Sequence, residues 1–123
     1  MNDSILNNTK QLLGIENDYD AFDVDIIIYI NSALMQLAQS GVGKEGYYIE
    51  DSTSIWSDFL GDYDDVRAIA TYVYLYVRSI FDPPSNSFVM EAIQSQMNEI
   101  LWRLTIQVEE GRMPQFRIER EQA

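Results

Sequence analysis

The chain has 123 residues, 46% of them hydrophobic, and a formal net charge of −12. That apolar content suits one domain with a single core and excludes intrinsic disorder as the main state. The absence of cysteine and histidine excludes disulfides, thiolate chemistry, and the commonest metal ligand and general base.

No run approaches the eighteen apolar residues of a membrane span, and no charged-then-apolar leader is visible. The expectation is a soluble, cytoplasmic protein. Residues 111–123 carry Arg112, Arg117 and Arg120 against Glu119 and Glu121, a net +1, which leaves −13 on residues 1–110. A field of that sign repels a nucleic-acid backbone. The predicted organisation is a helical domain over 1–110 and a flexible C-terminal tail over 111–123.

Asp3 or Ser4 caps a first helix that runs to Leu13, with Ile5, Leu6, Thr9, Leu12 and Leu13 on one side. Gly14 is a left-handed stop, and Ile15 folds back as its hydrophobic partner. After an acidic linker, Asp18 or Asp20 starts a second helix, where negative charge favours the amino end. It holds Phe22, Ile26, Ile30, Ala33, Leu34, Leu37 and Ala38. Ile26-Ile27-Ile28 alone resembles a strand, but the three-four pattern persists for five turns until Gly41.

Gly41-Val42-Gly43-Lys44-Glu45-Gly46 matches G-x-G-x-x-G in letters only. A dinucleotide loop follows a strand and opens a helix, whereas this one follows a helix. Tyr47-Tyr48-Ile49 reads as a short extended piece. Ser52 or Thr53 caps a short helix with Ile55, Trp56, Phe59 and Leu60, closed by Gly61. Asp62 then caps a long helix.

That long helix and the next form the centre of the chain. Val66, Ile69, Val73, Val77 and Ile80 make one apolar stripe. Ten of the thirteen residues from Ile69 to Phe81 are apolar or aromatic, as in a helix buried on most sides. Asp82-Pro83-Pro84 stops it, because neither proline donates a helical hydrogen bond and Pro83 restricts Asp82. Ser85, Asn86 or Ser87 caps a second long helix. This one carries Phe88, Ala92, Ile93, Met97, Ile100, Leu101, Leu104 and Val108. A short break makes the two helices antiparallel neighbours. The fold class is therefore all-α, a small bundle built on a long antiparallel helical hairpin with a short extended C-terminal tail. Beyond Gly111 the helical period ends, and Phe116 and Ile118 alternate with charged residues.

Chemical motifs are weak. Asp18, Asp20 and Asp23 resemble the start of a calcium loop, but its sixth position is Asp23 rather than glycine and its twelfth is Tyr29. Asp62, Asp64 and Asp65 fail for the same glycine. Both clusters sit at predicted helix starts, where the dipole accounts for them. Only Lys10 and Lys44 supply lysine chemistry, and no serine stands in a G-x-S-x-G elbow. Asn2-Asp3-Ser4 and Asn7-Asn8-Thr9 match the glycosylation acceptor without a secretion signal. No catalytic residue, cofactor or metal ligand emerges, and the chain is not expected to be an enzyme.

The aromatics carry more. Tyr72 and Tyr76 lie one turn apart, Tyr74 on another side, and Val73 and Val77 on a third. Burial inside a monomeric bundle explains this pattern without a partner. The alternative is a subunit interface at Tyr72, Tyr74, Tyr76 and Trp56.

The chain resembles the small head–tail connector, or adaptor, proteins of tailed bacteriophages. The residues that carry the likeness are Thr9-Lys10-Gln11-Leu12-Leu13-Gly14-Ile15, Ile30-Asn31-Ser32-Ala33-Leu34 and Trp56-Ser57-Asp58-Phe59-Leu60-Gly61-Asp62. Thr71 to Arg78, Phe81-Asp82-Pro83-Pro84-Ser85, Phe88 to Ile93, and Trp102-Arg103-Leu104 complete it. These are packing and turn residues, so their joint order carries the specificity, over about residues 4–108. The resemblance implies a virion structural protein of the neck, assembled in the host cytoplasm into a ring, typically twelve-fold, beneath the portal. It implies that DNA passes through the central channel, unbound, during ejection, and that a stopper or tail protein docks below. It also implies that the C-terminal segment reaches the portal. By position this assigns portal docking to Arg112, Met113, Pro114, Phe116, Arg117 and Ile118. Rival readings are an acidic DNA-mimic inhibitor of a nucleic-acid-binding protein, which would bind a basic partner tightly and salt-sensitively, and a carboxylate-based hydrolase, which would need a carboxylate pair in a cleft.

Overall fold

A computed structural model describes residues 3–113. Five helices make the body: α1 (Ile5–Leu13), α2 (Asp23–Gln39), α3 (Trp56–Leu60), α4 (Val66–Phe81) and α5 (Ser87–Glu109). Among the described residues the sole β pairing is an isolated bridge between Ser4 and Ile55. No helix there is long and apolar enough to cross a membrane.

Local chemistry sets α1 as its sequence predicts. The Ser4 hydroxyl oxygen accepts from the Asn7 N–H at 3.2 Å and donates to the Ser52 carbonyl at 2.7 Å. At the other end Gly14 is left-handed, φ 81°, and the Ile15 N–H returns to the Lys10 carbonyl at 2.9 Å. Ile15 then folds onto the core, as the stop motif requires.

The start of α2 is a correction. Asp18 and Asp20 do not begin it, and Asp23 does. The physical reason is Lys10. Its ammonium is almost fully buried and donates to the Asn17 carbonyl at 3.1 Å and the Tyr19 carbonyl at 2.7 Å. Carbonyls turned toward Lys10 cannot point along a helix axis, so 14–22 stays a turn-rich loop. From there α2 buries Ile26, Ile30, Ala33, Leu34 and Leu37 against α4.

The two glycines of the G-x-G segment serve packing. A Cβ on Gly43 would lie 2.3 Å from the Phe59 ring, and one on Gly41 would lie 2.9 Å from Val108. The segment is therefore a close-approach loop that lets α3 and α5 seat against the end of α2. The expected extended piece at Tyr47–Ile49 is coil, held at Ile49 by the Asn31 side chain. The Asn31 amide accepts from the Ile49 N–H at 2.8 Å and donates to its carbonyl at 3.0 Å, the two bonds a neighbouring strand would make. Helix α3 starts at Trp56 rather than at a Ser52 or Thr53 cap. Thr53 is bound instead to the Asp51 carboxylate, and the 54–56 backbone pairs with Asp3 and Ile5.

Helix α4 is the centre, packed against α1, α2 and α5. Ile69, Val73 and Val77 are fully buried. Asp62 does not cap it, since the helix begins four residues later at Val66. Ile80, assigned to the same stripe, is exposed. At the last turn Phe81 faces inward instead, edge-on to Phe22 with centroids 5.2 Å apart. The Asn86 side chain caps α5 by accepting from Phe88 and Val89. At the opposite end the Tyr63 hydroxyl, just before α4, donates to the Gln107 side chain at 2.6 Å. That bond ties the last turns of α5 to the segment that leads into α4, and the two helices pack as an antiparallel hairpin. Ile93 and Leu104 are the buried anchors of α5, with Met97, Ile100, Leu101 and Val108 partly covered. Phe88 and Ala92, expected on that inner face, point outward.

Candidate interaction surfaces

Three places bear on function: the aromatic side of α4, the turn after α5, and the outward faces of α2 and α5. Among the described residues no group of three or more acidic side chains converges as a metal ion would need.

The structure divides the four aromatics set out for subunit contact. Trp56 lies inside the subunit at 3% exposure, and its indole N–H donates to the Asn8 side-chain oxygen at 3.1 Å. Tyr72 is also buried, its ring 6.3 Å from Tyr76. Burial, then its proximity to Tyr76, pushes the Tyr72 phenol above the ordinary tyrosine range. Tyr74 and Tyr76 stay half-buried, and the Tyr74 hydroxyl accepts from the Arg78 guanidinium at 3.2 Å. Trp56 and Tyr72 hold the fold together from within, leaving Tyr74 and Tyr76 at the surface of α4.

Past α5, the Gly111 N–H reaches the Val108 carbonyl, and the Arg112 N–H reaches the Gln107 carbonyl at 2.9 Å. Gly111 is left-handed at φ 76°, so the chain doubles back. This turn drives Met113 into the core at 3% exposure. The sequence assigned Met113 to a tail without a core to join, and the structure corrects that. Arg112 stays exposed, paired with Glu110 at 2.6 Å. Beside this turn lies a depression of about 720 Å³ lined by Asp62, Tyr63, Asp64, Asp65, Gln107, Arg112 and Met113. Burial and the nearby Asp65 and Asp64 carboxylates raise the Tyr63 phenol above its ordinary range. Pro114, Phe116, Arg117 and Ile118 lie outside the described residues.

The outward faces were missed in the sequence. On α2, Val24, Ile28 and Met35 stand on the side opposite the buried stripe, all exposed. On α5, Phe88 and Trp102 are exposed at 79% and 63%. The available signal was that α2 is apolar at two sets of three-four spacings rather than one.

The body defined by these features is an all-helical structural module whose distinctive surfaces are apolar faces. A family model described as phage connector protein matches residues 5–111. The chain belongs to that family, and its role is that of a structural phage connector. No curated protein and no solved structure gives a match.

Proposed function

We propose that this protein occupies the neck of a tailed phage particle, forms a ring beneath the portal and lets DNA pass through its channel between head and tail. The observation that carries the reading is the family match, which spans α1 to the turn after α5, nearly the whole described body. The charge supports it: a wall of a strongly acidic protein repels the DNA backbone, so DNA slides rather than sticks.

Docking to the portal falls to the C-terminal segment, with Arg112, Pro114, Phe116, Arg117 and Ile118 as its contacts and the buried Met113 as its anchor in the body. A segment whose apolar and charged residues alternate in sequence adds to a partner's surface by ordering on binding. A stopper or tail protein takes the opposite side of the ring. The test is co-sedimentation of purified protein with portal rings, comparing the full chain with a chain ending after Met113. The full chain should bind and the shortened one should not, with helicity unchanged. Equal binding by both would assign docking to the body's faces.

A further inference from the structure

The outward face of α2 and the outward face of α5 are different surfaces on the two long helices that pack against α4. On α2 the stripe runs Val24, Ile28, Ser32, Met35 and Gln39, at spacings of four, four, three and four. It carries no charged side chain. Beside its C-terminal half lies a groove of about 560 Å³, walled by Ser32, Met35, Gln39, Glu45, Tyr47 and Tyr48. On α5 the stripe runs Phe88, Ala92, Ser95, Glu99 and Trp102, at spacings of four, three, four and three, directly opposite Ile93, Met97 and Leu104. Glu99, its one charge, is bridged to Arg103 at 2.6 Å. At 1.5 Å per residue the α2 stripe is about 22 Å long and the α5 stripe about 21 Å.

The geometry points to a second copy of this chain as the occupant: the aromatic stripe of α5 on one subunit lies along the α2 stripe and its groove on the next. This rests on the ring reading above and specifies its contact. One surface offers protruding rings, and the other an apolar stripe of matching length with a groove beside its C-terminal half. Charge argues for a like copy. A basic partner would select the acidic patches, whereas two subunits of net charge −12 can approach closely only along stripes where charge is absent or already paired. Because the two surfaces differ, the contact is head-to-tail, the kind that closes into a ring when the rotation fits. The buried positions of Trp56 and Tyr72 leave those side chains no part in it.

The chain has no native cysteine, so cross-linking tests this directly. Ser32→Cys and Ser95→Cys sit at the middle of the two stripes and are nearly isosteric. Under a mild oxidant, in concentrated solution and again with portal rings present, the double variant should give a ladder of covalent multimers. An equal mixture of the two single variants should stop at dimers, and each alone should stay monomeric. Adding Trp102→Glu, an exposed change that keeps helix propensity, should abolish the ladder. Dimers from either single variant alone would mean a two-fold contact and overturn the proposal. An internal disulfide, or no ladder in either condition, would overturn it too. If the unaltered chain still co-sediments with portal in that case, the connector placement stands and only this contact falls.

Discussion

The Lys10 ammonium lies 2.8 Å from the Asp23 carboxylate, deep under the loop that joins α1 to α2. The carbonyls of Asn17 and Tyr19 each accept one of its N–H donors, so two hydrogen bonds and one ion pair hold the ammonium in place. The pair therefore fixes both the path of that loop and the first turn of α2.

Removing one partner of a buried pair leaves the other charge uncompensated, at about 3–5 kcal/mol. Lys10 is enclosed, whereas Asp23 is about a quarter exposed and can rehydrate. Asp23→Ala should therefore destabilise in that range. Lys10→Met, which fills the same space without charge, should cost clearly less. Urea denaturation of both variants checks the order. A larger loss for Lys10→Met would mean that the ammonium's bonds to the loop, rather than its charge, dominate.

Helix α5 offers a second comparison. Leu104 is buried, while Leu101 is only partly covered. Leu104→Ala should cost about 2–5 kcal/mol and Leu101→Ala less, since a half-exposed site forms no closed cavity. Equal losses in chemical denaturation would contradict the packing of α5 described above.

What the sequence made legible was local. The Ser4 cap on Asn7, Gly14, Asn86 and the Pro83-Pro84 break act through neighbours a few residues away, and each does what its type predicts. Lys10, Asn31 and Gly43 act through partners seven or more residues distant, so the start of α2, the 47–49 segment and the glycine loop could not be read from spacing. For the candidate surfaces, periodicity marked which residues of α5 share a face but not which face turns inward at the hairpin tip. Phe88 at the start of α5, and Ile80 at the end of α4, therefore read as core from spacing alone yet are exposed. Gly111 ends α5 as Gly14 ends α1, so the turn itself is a local signal, but the seat it gives Met113 in the core depends on distant residues.

Tyrosine burial gives a pH dependence. Tyr72 has its phenol pushed above the ordinary value of 10.0, so the folded state holds the proton more tightly than the unfolded chain does. That stability is fully present below about pH 10 and is lost as pH rises through the folded value. Tyr72→Phe should lose less stability than the parent on going from neutral to strongly alkaline pH. Parallel denaturation curves at several alkaline pH values measure it, and an identical alkaline loss in both proteins would assign the effect elsewhere.

The central claim is a structural place between head and tail, and in vitro complementation tests it most directly. The phage that encodes this chain should, with its gene deleted, package DNA into heads that never acquire tails. Purified full-length protein, added to those heads together with free tails, should restore tailed, infectious particles. Normal tailed particles from the deletion, or heads that the added protein never rescues, would contradict it.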